Sequence, residues 1–301
     1  VVAVDASRGV LRQQDEREVL SEHIDRLPPD ELAGPEPELA VILSDPTLEG
    51  TEVIFLAMHG GSGEDGTVQG ILELTGIPYT GSDSRGSALA MDKDAAKRLF
   101  LAAGVRTPAW SMAPVRLMDV ESKFGFPVIV KPNGQGSTVG LSFVAGPAEL
   151  QGAIDLAAGF DERVMVEQYI PGRELTVGIF DGVALAAGEI IPATGDIFDY
   201  TAKYQADAAQ EIFPADLTER ETEQVRELAL TAHRALQLAS YSRVDFRMDP
   251  DGGFWCLEAN TLPGMTAGSL LPKSAGAVGI AFPNLCERIA LGASAKNPDT
   301  E

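Results

Sequence analysis

The stretch YSRVDFRMDPDGGFWCLEANTLPGMTAGSLL, residues 241–271, decides the fold. Polar and apolar residues alternate on both sides of a Pro-Asp-Gly-Gly turn, which predicts an antiparallel hairpin. If Asp249 and Phe254 close this four-residue loop, the register opposes polar residues in two pairs. The pairs are Asp245 with Glu258, and Arg243 with Asn260. Because directly opposed residues share a face of a sheet, all four side chains project from one side.

The two faces of this hairpin differ in polarity. The apolar face is expected to pack on the core, and its residues are Val244, Phe246, Met248, Trp255, Leu257 and Ala259. The polar face brings together two carboxylates and an amide oxygen, from Asp245, Glu258 and Asn260. Mg²⁺ prefers such hard oxygen ligands together with nucleotide phosphates. A surface hairpin with scattered charges is the alternative, but the confinement of these polar residues to one face favours the metal site.

The composition is that of a globular enzyme with two or three domains. The 301 residues are 45% hydrophobic and 23% charged, and no apolar run approaches the roughly 20 residues that cross a bilayer. The formal net charge of -22 argues against nucleic acid or an anionic membrane surface as a partner. Neither Cys256 nor Cys286 lies in a CxxC pair, so we expect a packed Cys256, no disulfide scaffold and a cytoplasmic location.

The first third of the chain predicts an open α/β sheet. A weak opening strand (VVAVDA) precedes the continuous apolar run Val53 to Met58, which is typical of a buried parallel strand. The glycine-rich loop HGGSGEDG then leads into a helix from Thr67 to Leu74 that ends at Gly76, before a strand from Ile77 to Gly81. Open sheets bind ligands at the carboxyl ends of their strands, where this loop lies.

Later segments predict helices, antiparallel strands and one long loop. We expect a single helix from Ser87 to Ala103, strands on both sides of the segment GQGSTVG, and a further strand at VMVEQYI. A hairpin is expected across Asp181-Gly182. Residues 192–216 form a long loop, whose aromatic residues favour a lid. A capping box at Thr218 opens the next helix.

A glycine-rich loop and several lysines can each be interpreted as structural or as nucleotide-binding. The loop GQGSTVG, residues 134–140, offers backbone N–H groups to phosphate, but an ordinary hairpin turn fits it equally well. Lys131 ends an apolar strand, and Lys93 and Lys97 share one helix face, but each lysine alone is better explained as a solvated surface residue. With Lys203 in the predicted lid, they supply the positive charge that phosphoryl transfer requires.

Four further polar residues also remain open to two interpretations. His59 begins the first glycine-rich loop at a strand end, which favours a functional position over a structural one. Glu167 and Glu174 flank a turn, and they are either surface carboxylates or residues near a nucleotide. Ser269 precedes a predicted helix, where its hydroxyl is a simple N-cap or helps to hold a carboxylate.

Together these segments resemble the D-alanine–D-alanine ligase family of the ATP-grasp superfamily. The matching motifs occur in the family's order between Phe55 and Leu291: HGGSGEDGTVQGILELTGIPYTG, SALAMDK, PVIVKPNGQGSTVG, VEQYIPGRELTVGI, DYTAKY, RVDF and LEANTLPGMTAGSLLPK. The resemblance implies an α/β ATP-grasp fold with three domains. They are an N-terminal α/β substrate domain at 1–84, a central ATP-grasp domain at 85–169, and a C-terminal catalytic domain at 170–301 with a lid loop at about 192–216.

The resemblance also implies ATP and two Mg²⁺ ions, with Mn²⁺ as a substitute. The implied ATP-binding residues are Lys93, Lys131, Gly136, Ser137, Thr138, Glu167, Glu174 and Lys203. In that scheme the two glutamates hold the adenosine and the loop covers the phosphates. The implied metal ligands are Asp245, Glu258 and Asn260, in agreement with the hairpin interpretation.

For the chemical step, the resemblance assigns Arg243 and the backbone of Gly264 to the oxyanion of a tetrahedral intermediate. The implied substrate contacts are His59, Ser137 and Tyr204 for the first amino acid, and Ser269 and Leu270 for the carboxylate of the second. The implied activity joins two D-alanines through an acyl phosphate, for peptidoglycan synthesis. We expect a cytoplasmic homodimer that binds small molecules and neither nucleic acid nor membrane.

Two departures from the family pattern keep alternatives open. Family members normally carry an N-terminal GGxSxE loop whose glutamate binds the first substrate, and no such loop occurs here. We therefore expect either a chain that is incomplete at its start or a divergent member, and a non-catalytic nucleotide-binding relative stays open. Ala259 replaces the commoner valine of EVNT, a change on the core face. Tyr204 in the predicted lid favours an amine as the nucleophile, since lactate-using relatives tend to carry a different residue there. A D-alanine–D-lactate ligase is therefore the second enzyme hypothesis.

Overall fold

The computed structural model of the protein describes residues 1–5, 9–12, 45–58, 60–136, 138–192 and 209–295. In chain order its elements are β1 (Val4–Asp5), β2 (Gly9–Val10), α1 (Thr67–Thr75), α2 (Ser84–Met91), α3 (Lys93–Ala102), β3 (Trp110–Met112), α4 (Leu117–Lys123), β4 (Val128–Pro132), β5 (Ser142–Val144), α5 (Leu150–Ala158), β6 (Val164–Gln168), β7 (Arg173–Phe180), β8 (Val183–Pro192), β9 (Ala209–Ile212), α6 (Glu219–Ala235), β10 (Tyr241–Met248), β11 (Phe254–Asn260), α7 (Leu270–Gly276) and α8 (Phe282–Ser294).

The strands form antiparallel sheets of different size. A four-stranded sheet has the order β3-β6-β4-β5, and a five-stranded sheet has the order β11-β10-β7-β8-β9. Within the part of the chain that the structure describes, the strands β1 and β2 pair with each other alone. Helices pack on the two larger sheets, which confirms the α/β class, whereas the division of the chain at residues 84 and 169 stays a prediction.

The segment Val53 to Met58 runs parallel to its neighbour, as expected, but it makes one bridge, Ile54 to Tyr79, rather than a ladder. The reason is local. The backbone N–H of Leu56 donates to Thr80 Oγ1 at 2.9 Å, so a side chain takes the place of the next ladder bond. The helix α1 ends at Gly76 in the left-handed region, with φ 72°, as predicted.

The single helix expected from Ser87 to Ala103 is wrong, because Asp92 divides it into α2 and α3. Asp92 is extended, with ψ 96°, and its carboxylate accepts a bond from Ala95 N at 3.0 Å. Aspartate competes with the backbone in this way and is therefore a strong N-cap. The break turns Lys93 into the first residue of a new helix.

Three strands of the four-stranded central sheet, β4, β5 and β6, are confirmed, whereas β3 was not predicted. The strands β4 and β5 flank the glycine-rich segment, and β6 pairs with β4 along five residues. Its apolar face packs on α4 and α5 through Val120, Leu150 and Ala153, next to the fully buried Val128 and Val130. The opposite face is therefore free to carry polar side chains.

The β7–β8 hairpin turns at Asp181 and Gly182, both with positive φ, as the sequence predicts. Part of the long loop expected at 192–216 is instead β9, which pairs with β8. The other residues of that loop from 193 to 208 lie outside the described chain. The capping box at Thr218 is confirmed, and α6 covers the larger sheet with Val225, Ala229 and Ala232.

The β10–β11 hairpin confirms both polar pairs, Arg243 with Asn260 and Asp245 with Glu258. The predicted turn is wrong by one residue, because Met248 and not Asp249 pairs with Phe254. A bulge next to Phe246, which pairs with Cys256, absorbs the difference. Among the described residues, no helix combines the length and the apolar content that a membrane crossing requires.

The bulge also corrects the predicted core face of this hairpin. Val244, Phe246, Met248 and Ala259 are buried in the core, as expected, together with the unpredicted Phe254 and with Cys256, which is packed as expected. Trp255 and Leu257 are not, because the extra residue reverses the alternation of side chains between the turn and the bulge.

Candidate active site

A cleft lies between the central sheet and the β10–β11 hairpin, with an empty volume of about 870 Å³ including its open mouth. Eight of the residues proposed from the sequence line it: Lys93, Lys131, Gly136, Thr138, Glu167, Glu174, Asp245 and Glu258. They come from two sheets, one helix and one loop. The fold thus brings together residues as far apart in the sequence as Lys93 and Glu258, which are separated by 165 positions (258 minus 93).

On one side of the cleft a carboxylate lies between two ammonium groups, and we call this group the lysine wall (Lys97, Lys131 and Glu167). Lys131 and Glu167 line the cleft, and Lys97 lies behind them. Glu167 Oε1 lies 2.9 Å from Lys131 Nζ, and Glu167 Oε2 lies 2.5 Å from Lys97 Nζ. Burial opposes ionisation of Glu167, but the two lysines outweigh it and hold the pKa of the carboxyl below its usual value. Burial lowers the pKa of Lys97 to about 8, with Glu167 opposing the shift.

Lys97 was not assigned to the site from the sequence. It is 0% exposed, and its Nζ also lies 2.6 Å from Thr107 Oγ1. The signal was present, since Lys97 follows Lys93 by one turn on the same helix face. A solvated lysine was the better explanation for each of them, and burial of both excludes it.

The facing wall is the polar side of the hairpin, which we call the hairpin wall (Arg243, Asp245, Glu258 and Asn260). Asp245 is its centre and accepts bonds from Arg243 Nη2 at 2.9 Å, Asn260 Nδ2 at 2.9 Å and Thr176 Oγ1 at 2.7 Å. Burial opposes the charge of Arg243, but Asp245 outweighs it and raises the pKa of the guanidinium. These three donors hold the Asp245 carboxylate in place as an acceptor.

Lys93 connects the two walls. Its Nζ donates to Gln135 O at 2.6 Å and lies 3.6 Å from Glu258 Oε2. Burial lowers the pKa of Lys93, the Glu258 carboxylate opposes that shift, and the neighbouring Lys131 adds to it. A buried ammonium group beside the backbone of the glycine-rich loop is placed to bind an anion that enters the cleft.

The glycine-rich loop is held close to the central sheet. Gly134 N donates to Asp161 Oδ2 at 2.7 Å. Gly140 has φ 67°, and a Cβ there would lie 2.7 Å from Phe160 and 2.9 Å from Pro132, so glycine is required. Gly136 and Thr138 face the cleft, while Ser137 lies outside the described chain.

Arg247 and Leu257 line the cleft but were not proposed from the sequence. Arg247 donates to Ile170 O at 3.0 Å and lies 3.5 Å from Glu174 Oε2. It follows Asp245 by two residues and therefore shares the polar face, a signal that could have found it. Leu257 reaches the cleft only because of the bulge, which the sequence did not reveal.

A smaller cavity of about 310 Å³ adjoins the cleft and holds Asn260 and Glu64 next to Lys93, Gly136 and Glu258. Glu64 is the glutamate of HGGSGEDG, and its Oε2 accepts a bond from Gly60 N at 2.6 Å. It was not proposed from the sequence, although its loop was. His59 from the same loop lies outside the described residues, as do Lys203 and Tyr204.

Gly264, Ser269 and Leu270 do not line either cavity. Ser269 occupies the N-cap position of α7, but its hydroxyl makes no capping bond and instead lies 2.9 Å from Thr266 Oγ1. The N-cap interpretation of its side chain is therefore wrong.

The donor chemistry of the hairpin wall suits a hard cation. In the described ranges no three His, Cys, Asp or Glu side chains converge as metal ligands, so the candidate set rests on two carboxylates and an amide. Two antiparallel sheets border a cleft that has one positively charged wall and one negatively charged wall. This arrangement is typical of a nucleotide-dependent enzyme.

Comparison with known proteins identifies the family. The description "D-ala D-ala ligase N-terminus" matches residues 6–82, and "D-ala D-ala ligase C-terminus" matches residues 102–290. The chain therefore belongs to the D-alanine–D-alanine ligase family. It is 47% identical over 252 residues to the D-alanine--D-alanine ligase of Citrifermentans bemidjiense, covering 82% of this chain and 81% of that one. Against the Bordetella petrii ligase it is 44% identical over 260 residues, 84% and 79% of the two chains.

Solved structures agree. A D-alanine--D-alanine ligase from Bacillus anthracis matches with a TM-score of 0.77 and 35% identity, over 96% of this chain and 95% of that one. The same organism's ligase complexed with ATP matches with a TM-score of 0.72 and 37% identity, over 83% and 81%. The VanG D-Ala:D-Ser ligase from Enterococcus faecalis gives a TM-score of 0.72 at 33% identity, over 81% and 73%. The expected ATP-grasp fold is confirmed.

Proposed function

We propose that this chain joins two D-alanine molecules into D-alanyl-D-alanine, a building block of peptidoglycan, while ATP is converted to ADP and phosphate. The observation that carries the proposal is the cleft, which is lined by eight of the residues that the sequence resemblance assigned to ATP and metal. Identity of 44–47% to ligases of this name, over more than four-fifths of the chain, supports it.

The cleft supports binding of the nucleotide by its charge and shape. Lys93 and Lys131 supply positive charge beside the glycine-rich loop, where phosphates fit. Glu167 and Glu174 offer acceptors to the adenosine, and Leu257 adds an apolar surface for the base. Lys203 in the loop outside the described residues is proposed as a further phosphate contact.

The hairpin wall fits Mg²⁺ by its donor set. We assign Asp245, Glu258 and Asn260 to two such ions, for which Mn²⁺ would substitute. Bound there, Mg²⁺ would neutralise charge on the phosphate oxygens and polarise the transferred phosphoryl group. The chain's own contribution is to hold the donors still, and the bond from Thr176 to Asp245 at 2.7 Å does this.

The reaction must first activate a carboxylate, which is a poor acyl donor. A carboxylate oxygen of the first D-alanine attacks the γ-phosphorus of ATP, ADP leaves and an acyl phosphate forms. The amine of the second D-alanine then attacks the acyl carbon, phosphate leaves, and the nitrogen loses a proton as the peptide bond forms. Arg243 and the backbone N–H of Gly264 stabilise the intermediate oxyanion in this scheme.

The remaining assignments complete the proposal. His59, Ser137 and Tyr204 position the first D-alanine, and Ser269 and Leu270 hold the carboxylate of the second. Tyr204 closes a lid that excludes water from the acyl phosphate. We also propose three domains divided near residues 84 and 169, a homodimer, a cytoplasmic location and no affinity for nucleic acid or membrane.

A coupled assay of ADP release at neutral pH tests the proposal. D-alanine, D-serine and D-lactate are each offered as second substrate beside D-alanine, and the expected result is that the D-alanine reaction has the highest kcat/KM. The serine arm matters because the VanG relative is named for D-serine. A preference for D-lactate or D-serine would overturn the substrate, and nucleotide binding without any ADP release would overturn the activity.

A further inference from the structure

Lys97 is a buried lysine whose position the proposed reaction does not explain. Its side chain is 0% exposed and does not line the cleft. Its Nζ contacts Glu167 Oε2 at 2.5 Å and Thr107 Oγ1 at 2.6 Å, and it lies 5.2 Å from the centre of the Trp110 ring. A charge is costly to bury, so a completely buried ammonium group needs a partner that compensates it.

Glu167 already has another partner. Lys131 Nζ lies 2.9 Å from the other carboxylate oxygen, and Lys131, unlike Lys97, lines the cleft. Two lysines against one glutamate leave the lysine wall with a net charge of +1. Because Lys97 is out of reach of the cleft, the uncompensated charge is available on the lysine that faces the ligand.

We infer that Lys97 is a positioning residue, which neutralises Glu167 from behind so that Lys131 remains free to hold the phosphates of the nucleotide. This inference rests on the proposed function, because it presupposes that ATP occupies the cleft. Without Lys97, Lys131 is the lysine left in contact with Glu167, so phosphate and carboxylate compete for one ammonium group. The net charge of the wall then falls from +1 to 0.

The test is one substitution made in two backgrounds. Lys97→Met removes one positive charge from the unmodified protein, and it is repeated in a Glu167→Gln variant, where the carboxylate that Lys97 neutralises is absent. Dissociation constants for ATP with Mg²⁺ are measured by titration calorimetry, together with KM and kcat for ADP release. Lys123→Met is the control, since it removes an exposed lysine of the same region that contacts Ser111 instead.

We expect Lys97→Met to weaken ATP binding about tenfold, with kcat at saturating ATP changed by less than about threefold. In the Glu167→Gln background, where both proteins lack the same adenosine acceptor, Lys97→Met should change ATP affinity by less than about threefold. Lys97→Arg keeps the charge and should restore binding, and Lys123→Met should not change it. A merely structural lysine would lower the melting temperature without this dependence on Glu167.

Unchanged ATP affinity in Lys97→Met overturns the inference, and so does a Lys97→Met effect of the same size in the Glu167→Gln background. If Lys97→Met does not fold, Lys97→Gln replaces it, because glutamine removes the charge but still hydrogen-bonds Thr107. If the unmodified protein does not bind ATP at all, the proposed function fails, which is a different result from failure of the inference alone.

Discussion

The two walls of the cleft have opposite charge ratios. The lysine wall sets two ammonium groups against one carboxylate, whereas the hairpin wall sets two carboxylates, Asp245 and Glu258, against one guanidinium, Arg243. The lysine wall is buried, whereas on the hairpin wall Asp245 is buried and Arg243, Glu258 and Asn260 are half-buried. Both walls hold their central carboxylate with short charge-assisted bonds. The difference lies in the surplus charge that remains, which is positive on one wall and negative on the other.

In the proposed function, this difference lets one cleft accept both a polyanion and cations. The lysine wall would attract the phosphates, and the hairpin wall would attract the metal ions that accompany them. Lys93, which lies between a carboxylate of the hairpin wall and the glycine-rich loop, belongs to both. Substitutions on the two walls should therefore have different signatures.

The largest expected effect is on the hairpin wall. Asp245→Asn removes the charge at the centre of the proposed cation site, and we expect kcat/KM for ADP release to fall about a thousandfold. Mn²⁺ binding, followed by electron paramagnetic resonance without nucleotide turnover, should weaken as well. Asp251→Asn in the exposed turn of the same hairpin is the matched control. Full activity in Asp245→Asn would remove the distinction between the walls.

A pH experiment tests whether His233, which lies behind the hairpin wall, is buried as a neutral group. His233 Nδ1 lies 2.8 Å from Ser242 Oγ, next to Arg243, and burial followed by the charge of Arg234 lowers the pKa of His233 to about 4 from 6.5. Because the folded pKa is the lower one, its contribution is present above pH 6.5 and is lost as the pH falls to 4. The loss amounts to about 3 kcal/mol of unfolding free energy.

Denaturant unfolding between pH 4 and pH 7 measures this loss as the difference between the unmodified protein and His233→Gln, since carboxylates titrate in both. The variant should show a shallower decline on acidification. Parallel curves for the two proteins would mean that His233 is not buried as a neutral group.

On the lysine wall, Lys131→Met should raise KM for ATP about thirtyfold, equivalent to about 2 kcal/mol, with little change in KM for D-alanine. The reason is that Lys131 faces the ligand directly, whereas Lys97 acts through it. ATP titration calorimetry provides the check, with Lys123→Met as the control. If Lys131→Met weakened ATP binding less than Lys97→Met does, the direct role of Lys131 and the indirect role of Lys97 would be contradicted.

The smallest effect concerns the bulge residue. Leu257→Ala removes apolar surface from the cleft, and we expect ATP affinity to fall about fivefold, near 1 kcal/mol. Leu291→Ala shortens a leucine that is 63% exposed and should leave the affinity unchanged. Equal affinities in the two variants would show that Leu257 does not touch the ligand.

The sequence predicted the cross-strand pairs of the β10–β11 hairpin but not its bulge. Alternation and the turn residues were enough to oppose Asp245 and Glu258. Nothing in the alternation marks a bulge, because one extra residue merely shifts the pattern on one side, so Leu257 was assigned to the core. Arg247, by contrast, follows Asp245 by two residues, and alternation alone could have placed it on the polar face. The helix break at Asp92 could have been predicted, since aspartate inside an apolar pattern is also an N-cap signal.

Residues brought together by tertiary contact were harder to find. Lys97 and Glu167 are 70 positions apart, and no local pattern states that one will be buried against the other. The family resemblance supplied Glu167, Lys93 and Lys131, but the partner that compensates Glu167 became visible only when burial and distances were known.

The carboxylate of Asp92 has a mechanical consequence. It accepts bonds from Asn133 Nδ2 at 2.9 Å and from Arg163, and Asn133 Oδ1 in turn accepts from Asp94 N at 2.9 Å. The first turn of α3 is thereby fastened to the end of β4, while Ala96 and Phe100 of the same helix are buried in the core of the larger sheet. Separation of the two sheets would therefore have to break either these bonds or that core packing.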